Sequence, residues 1–536
     1  MKIVDLLLRT LEHNGVGVIF GNPGTTEIPL VRACEREGTL RYIVALSEFA
    51  AVPMADGYAR ATRSLGVVNL HVAPGLGNGM GGLYTAGVAQ TPLLVLVGGQ
   101  DRRFLHTQPI LWGPLEHMAR AVTKAVFSLN TCHDAASNIR SALRAALTPP
   151  YAPVALICPP DLLEEEIDAT PEPVHAQTLG ALSAEDARHY ARVLTSAKRP
   201  ALIAAEDVYW NGASEVVEQL AALLAAPIYI APYTAVLPVS SRSPFYAGYL
   251  APSRKHITER LAPHDVLFFI GGTGMRTTLY SEAELPQLKL WIGNDPTVLA
   301  PDGEFTLATV VDVRSAIAEI VHGTEDRIGE RRAIATALRP HMAPPAPQAE
   351  LFHPSRAVRM LLSAFPDAIW FDEAGLSTTD VREWMQLPAG EYLINGSGGI
   401  GWGLPASVGA ALGKPDRQIV AITGDGSALY ASEALWTAAH HRTTLLVVIL
   451  SNRRYATLNE AAGRLHGHAL QAFTIEPPVL EFSGLAALYG WRYARATSEQ
   501  ELSVFLASTR GQIEANTLLD LQLDPAVAPV TACDHF

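Results

Sequence analysis

The chain has 536 residues, 49% of them hydrophobic, which is enough for roughly three domains of about 150–200 residues, each with its own core. A formal charge of -13, with cations only in short groups such as Arg102-Arg103, argues against nucleic acid as a partner, because phosphate binding needs clustered Lys and Arg. The four cysteines, Cys34, Cys132, Cys158 and Cys533, lie far apart without a C-x-x-C spacing, which speaks against a disulfide framework or structural zinc and fits a reducing compartment.

The N-terminal MKIVDLLLRTLEHNG has apolar residues at helical spacing, but Asp5, Arg9 and Glu12 interrupt the apolar run that a signal peptide would need. No later segment approaches the length of a membrane span, so no membrane partner and a cytoplasmic location are expected. Short apolar runs then alternate with helical patterns: GVGVIFG (15–21), YIVAL (42–46), GVVNLHV (66–72), TPLLVLVGG (91–99) and PVALICP (153–159). A middle set has PALIAAEDV (200–208), PIYIAP (227–232), DVLFFIGG (265–272) and LKLWIGND (288–295). A last set has AIWFDE (368–373), YLING (392–396), QIVAITGDG (418–426), TLLVVILSN (444–452) and TLLDLQL (517–523). Continuous apolar strands separated by helices predict parallel sheets covered on both faces, hence three consecutive α/β domains. The acidic, Pro-containing stretch 163–181 and the Pro-rich stretch 339–349 mark their boundaries, giving domains of 1–165, 182–325 and 350–525. The first and third could be one fold used twice.

After the strand YIVAL stands Glu48, in RYIVALSEFAAVPMADGYAR. A carboxylate between apolar segments needs a partner. A helix start after a capping Ser47 explains it, since the helix dipole favours an acid there. The strongest local feature is GDGSALY (424–430), which ends one strand and precedes a helix predicted in SEALWTAAHH; a second strand ends in SNRRYA (451–456). Glycines flanking Asp425 let the backbone approach a ligand, and a following helix N-terminus suits an anion such as a diphosphate. Asp425 and Asn452 fall at the C-terminal ends of successive strands, where open parallel sheets form their crevice, and both offer the oxygen that Mg²⁺ prefers. Gly-Asp-Gly alone is also an ordinary turn. His71 ends the strand GVVNLHV before a turn expected in APGLGNG, and a lone His there is commonly structural.

GDG, some 24 residues and then an N-N-like pair resembles the cofactor motif of thiamine diphosphate enzymes, with Ser451 in place of the usual first Asn. The segments 20-FGNPGTTEIP, 44-VALSEFAAVPMADGYARA, 70-LHVAPGLGNGMGGLYTA, 396-GSGGIGWGLPASVGAALG and 434-ALWTAA resemble benzoylformate decarboxylase and related 2-oxoacid decarboxylases and acetolactate-synthase-like enzymes. The resemblance implies a pyrimidine-binding first domain, a middle domain that is mainly structural or carries FAD in some branches, and a diphosphate-binding third domain. It implies thiamine diphosphate and Mg²⁺ as cofactors, with Asp425, Asn452 and the Arg454 carbonyl on the metal. Gly426 and Ser427 would contact the diphosphate, with Tyr455 beside them. Gly398 would bind the 4'-amino group, and Ile400 would support the bent cofactor.

Glu48 would address the aminopyrimidine ring, promoting ylide formation. By the same resemblance the ylide would attack a 2-oxoacid, carbon dioxide would leave, and the resulting enamine would be protonated, or joined to a second carbonyl as in acetolactate synthase. The resemblance makes His71 the proton carrier and Thr25 the contact for the substrate carboxylate, although a turn-capping Thr is the competing reading. Two departures stand out. A second histidine of benzoylformate decarboxylase gives way to Thr277 or Thr278, and Asn459, Glu460 and Ala461 make a more polar pocket that puts benzoylformate itself in doubt. The pair His440-His441 reads as structural or surface. The two cofactor-binding domains of the family meet across a subunit boundary, which implies a homodimer or homotetramer acting on a small-molecule 2-oxoacid.

Overall fold

The computed structural model describes residues 1–278, 283–298, 305–328 and 352–524. The Pro-rich stretch 339–349 and Cys533 lie outside them. The expected α/β class is borne out, as three parallel sheets of six strands, each flanked by helices. The first sheet contains β1 (Val18–Gly21), β2 (Arg41–Val44), β3 (Gly66–Leu70), β4 (Leu93–Gly98), β5 (Ala125–Ser128) and β6 (Pro153–Cys158), in the order β2-β1-β3-β4-β6-β5. The second contains β7 (Pro200–Ala204), β8 (Ile228–Ile230), β9 (Tyr246–Tyr249), β10 (Val266–Ile270), β11 (Leu288–Gly293) and β12 (Leu307–Val310), in the order β12-β11-β10-β7-β8-β9. The third contains β13 (Ile369–Glu373), β14 (Tyr392–Ile394), β15 (Ile419–Gly424), β16 (Leu446–Ser451), β17 (Arg492–Ala496) and β18 (Thr517–Gln522), in the order β14-β13-β15-β16-β18-β17.

Counted from its own first strand, the third sheet repeats the first strand for strand, so the same topology is used twice. In both, the chain reverses direction across the sheet between the first and third strands. That switch point opens a crevice beyond the strand ends where open α/β sheets hold ligands. The strands not expected from the sequence, β5, β9, β12 and β17, are all edge strands. Residues of β5 and β12 are half-buried and β17 is exposed or half-buried over its first four residues, so these three lack the continuous apolar run of a strand covered on both faces; β9 is buried over Tyr246–Gly248 but short. Two local expectations are corrected. APGLGNG is not a turn but the start of the helix Val72–Val88, because Pro74 sits in the first turn, where its missing N–H is not needed, and Gly79 and Gly82 let the helix press onto Val52. The helix expected in SEALWTAAHH is shorter, Ala434–His440, preceded by one separate turn, Asp425–Ala428.

The helix Glu48–Thr62 of the first unit packs across Gly403–Gly413 of the third at backbone distance. A Cβ on Gly57 would lie 2.1 Å from the Ala406 carbonyl oxygen, and one on Gly409 1.9 Å from that of Met54. A buried polar network pins this crossing. Arg60 donates to Asp56 (2.8 and 2.5 Å), to the Thr91 hydroxyl (3.0 Å) and to the Ile394 carbonyl (2.7 Å), and its guanidinium lies 4.6 Å from the Trp402 ring centre. Trp402 donates its indole N–H to Asp56 (2.6 Å), and Tyr209 of the middle unit donates to the Arg60 carbonyl (2.6 Å). Each side chain contributes apolar or cation-π contact as well as satisfied polar groups, so all three units are held at one helix. Gly409→Ala should therefore destabilise the protein by about 1–3 kcal/mol, as overpacking does. The readout is the melting temperature, and an unchanged value would mean that the two helices separate without cost.

Candidate active site

At the switch point of the third sheet, β13 ends in Glu373 and β15 runs into Asp425. The Asp425 carboxylate accepts the Gly426 N–H (2.8 Å) and the Arg453 N–H (2.6 Å). Burial raises its pKa, and these N–H groups oppose the rise. From the end of β16, Asn452 accepts the Arg454 N–H at 3.2 Å. Between them Arg453 has φ 62°, a left-handed conformation for a non-glycine residue, which turns the backbone at this point at a cost of about 1–2 kcal/mol.

Asp425 and Asn452 line a cavity of about 1070 Å³, together with Gly398, Ile400, Gly426, Ser427, Arg454, Tyr455, Thr278 and Glu460. Gly426 is sterically required, since a Cβ there would lie 2.8 Å from the Tyr455 ring. The Thr278 hydroxyl donates to the Pro252 carbonyl (3.1 Å), and Glu460 is ion-paired with Arg464 (3.0 Å). Ala461 shares the helix Ala456–His466 with Glu460 but is not among the lining residues. Glu373 also lines the cavity, and burial pushes its carboxyl up to about 7.

The donor set fits a hard cation beside a phosphate. Asp425, the Asn452 amide oxygen and a backbone carbonyl are all oxygen donors, and Mg²⁺ commonly takes one or two carboxylates and completes its shell with phosphate and water. Among the described residues no group of three or more His, Cys, Asp or Glu gathers as a metal site, so a second ligand source is needed. The cavity is large enough for a drug-sized group with room to spare.

A second cluster sits at the equivalent switch point of the first sheet. Glu48 is the first residue of its helix, after Ser47, whose hydroxyl accepts the Ala50 N–H (3.2 Å), so the capping explanation holds for Ser47. Glu48 is buried and accepts the Asn78 side-chain N–H (3.2 Å). A Cβ on Gly75 would lie 2.8 Å from Glu48 Oε1 and 3.2 Å from the Cβ of His71, so both side chains flank this glycine.

His71 precedes Val72, a β-branched residue at φ 41°, whose left-handed backbone forms the sharp turn from β3 into the next helix. Its Nδ1 lies 2.7 Å from the buried carboxylate of Glu27 and 3.1 Å from the Thr26 hydroxyl. Glu27 also accepts the Gly24 N–H (2.7 Å) and the Thr26 hydroxyl (2.6 Å). A carboxylate at Nδ1 selects the tautomer with its proton there and leaves Nε2 for acid–base work. Thr25, in the same short turn, is exposed. Glu27, Thr26 and Asn78 escape sequence reasoning, and the signal present was the acid within NPGTTE. Thr25, Glu48 and His71 do not line the large cavity, so one chain holds the two clusters apart.

In the middle unit, the switch point lies between β7 and β10. Asp207 fills it, accepting the Gly272 N–H (2.7 Å) and the Asn294 N–H (3.0 Å), and a Cβ on Gly271 would lie 2.4 Å from its carboxylate. The glycine-rich turn GGTG therefore gives the Gly272 N–H to Asp207. The His440 ring stacks on Trp436 (4.8 Å between centres), a packing role.

Three family models match the chain: the N-terminal TPP binding domain of thiamine pyrophosphate enzymes over residues 1–121, their central domain over 187–320 and their C-terminal TPP binding domain over 373–517. Benzoylformate decarboxylase of Pseudomonas aeruginosa is 30% identical over 505 residues, covering 92% of this chain and 93% of that protein. Acetolactate synthase isozyme 3 large subunit of Escherichia coli is 24% identical over 96% of this chain and 93% of its own length. The solved structure of a thiamine diphosphate-dependent 4-hydroxybenzoylformate decarboxylase from Rhodococcus jostii RHA1 superposes with a TM-score of 0.89 at 26% identity, covering 98% of this chain and 99% of that one.

A Cβ on Gly24 would lie 2.2 Å from the His71 ring. Gly24→Ala should thus displace the imidazole and lower turnover by about 10²-fold, the scale of lost acid–base catalysis. Steady-state kinetics read this, and unchanged turnover would remove His71 from the chemistry.

Proposed function

The chain belongs to the thiamine pyrophosphate enzyme family, and we propose that it is a thiamine diphosphate- and Mg²⁺-dependent lyase that decarboxylates a 2-oxoacid without oxidation. The observation that carries this reading is His71 fixed through Nδ1 by the buried Glu27, beside Glu48. Asp425, Asn452 and the Arg454 carbonyl would hold Mg²⁺. Gly426 and Ser427 would take the diphosphate, and Gly398, Ile400 and Tyr455 the remainder of the cofactor. When bound, the cofactor supplies the electron sink for loss of carbon dioxide.

The chain's own residues do the rest. Glu48 holds and moves a proton at its carboxylate, with Asn78 orienting one oxygen. His71 takes or gives a proton at Nε2. The exposed Thr25 hydroxyl receives the substrate carboxylate. In the net reaction the bond between the carbonyl carbon and the carboxylate breaks, carbon dioxide leaves, and a proton ends on the former carbonyl carbon to give an aldehyde. Thr278 and Glu460 give the pocket a polar wall, which favours a 2-oxoacid bearing polar groups over benzoylformate.

Because the clusters are separate within one chain, a homodimer is proposed in which Glu48 and His71 of one protomer serve the cavity of its partner, alone or within a tetramer. Exposed apolar side chains on both halves support this: Leu46 and Phe49 beside Glu48 in the chain, and Ile400 and Tyr430 at the cavity. A middle domain carrying a dinucleotide is not favoured, since Asp207 occupies the Gly272 N–H of the glycine-rich turn and the Asn294 N–H at the switch point.

The second reading is a carboligase that joins the same substrate carbon to another carbonyl compound. Thr278 in the cavity, where a histidine would protonate, favours it. Incubation with thiamine diphosphate, Mg²⁺ and a panel of 2-oxoacids is expected to yield aldehyde, and exclusive 2-hydroxyketone would sink the decarboxylase reading. The cofactor pair should itself stabilise the protein, by about 2.7 kcal/mol at 100 times its Kd. Glu48→Gln keeps the size of the side chain, so the melting temperature and diphosphate site should stay near wild type while kcat falls by about 10²–10⁴-fold. Wild-type turnover in that variant would refute the role given to Glu48.

A further inference from the structure

The loop that carries Gly398 and Ile400 is rich in glycine. Gly396, Gly398 and Gly401 have φ of 71°, 82° and 94°, so the segment is built on glycines in the left-handed region, whose ordering costs more backbone entropy than that of other residues. Asn395 ties its first half internally, accepting the Ser397 N–H (3.1 Å) and Gly398 N–H (2.9 Å) and donating to the Gly399 carbonyl (2.8 Å). Those bonds shape the turn but do not attach it to the sheet.

The first half is tied to the helix Val72–Val88, where the Thr85 and Ser397 hydroxyls lie 2.9 Å apart, and the far end is attached to the third sheet by Glu373, the last residue of β13. One of its carboxylate oxygens accepts the Gly401 N–H (2.5 Å) and the other the Gly403 N–H (2.6 Å). The carboxyl is buried on the cavity wall, and a Cβ on Gly403 would lie only 3.0 Å from the Cβ of Glu373. The two N–H groups bracket the end of the loop and the start of the helix Gly403–Gly413.

We propose that Glu373 is a positioning residue, whose two-oxygen grip on the Gly401 and Gly403 N–H groups fixes the loop presenting Gly398 and Ile400 to the cavity. This rests on the cofactor reading above. It goes further in assigning to a residue of β13, which stands in no cofactor or metal role here, control over how well the cofactor is held. A bare helix-capping role would show only in stability, whereas a positioning role must also show in loop order and in cofactor affinity.

The test compares wild type with Glu373→Gln, which has one acceptor oxygen where the carboxylate has two, and with Glu373→Asp, which keeps the charge on a shorter arm. Three readouts are taken: amide hydrogen exchange of the peptide spanning 396–404 in cofactor-free protein, the Kd for thiamine diphosphate with Mg²⁺, and the melting temperature. Loss of one hydrogen bond to a charged acceptor predicts about tenfold faster exchange in that peptide and about tenfold weaker cofactor binding for Glu373→Gln. Glu373→Asp should fall between the two, and its exchange rate decides the matter should the Gln variant not fold. A fall in melting temperature with wild-type exchange and wild-type cofactor Kd would reduce Glu373 to a helix cap and overturn the proposal. Failure of the wild-type protein to bind thiamine diphosphate would instead overturn the cofactor reading, and the exchange measurement on cofactor-free protein distinguishes the two failures.

Discussion

The structure depends on the crossing of the helices Glu48–Thr62 and Gly403–Gly413, and that crossing depends on the buried pair Asp56–Arg60. An ion pair taken wholly out of water is stable only when every remaining donor and acceptor is used, because desolvation of either charge alone costs several kcal/mol. Here Thr91, Ile394 and Trp402 use them, and Tyr209 adds a bond to the Arg60 backbone, so side chains or backbone of all three units meet. The glycines at the crossing allow the two backbones to come close enough for this network to form.

From that crossing, one helix start carries Glu48 and the other adjoins the loop of Gly398 and Ile400. A single topology, used in the first and third sheets, thus delivers two different chemistries at equivalent switch points. The first holds a histidine and two carboxylates around Gly75 and Gly24, and the third holds oxygen donors and glycine backbone around a large cavity. Neither is complete as the proposed catalyst. Glu48 and His71, proposed for acid–base work, stand in one cluster, and Asp425 and Asn452, proposed for the metal, line the cavity of the other, which is the physical argument for joining two copies.

Legibility in the sequence followed burial. Central strands, apolar on both faces, stand out as continuous runs; AVFS, LATV and RYARA do not, because these three strands bury only part of their surface. Chemical types at strand ends single out Asp425 and Asn452, whereas Glu48 and His71 take their roles from the family resemblance, because the residues alone fit a helix start and a structural histidine. Glu27 and Glu373 did not emerge as site residues, since each acts by accepting hydrogen bonds from backbone or from a side chain distant in sequence. Such pairings leave no periodicity. The misjudged APGLGNG is of the same kind: Pro and Gly signal a turn locally, yet in a first helical turn and against Val52 the same residues serve close packing.

By itself, the sequence determined the α/β class with parallel sheets, the repeated use of that class along the chain, and the residue types at the ends of the central strands, because these follow from continuous apolar runs and from glycine-flanked acids. Tertiary structure alone decided the rest. It decided that Glu27 faces His71, that Glu373 reaches Gly401 and Gly403, that Asp207 closes the middle crevice, and that Glu48 and Asp425 lie at different sites of one chain. Each of these depends on which strand ends the switch points bring together, and that is set by strand order, a property of long-range pairing that no local stretch of residues encodes.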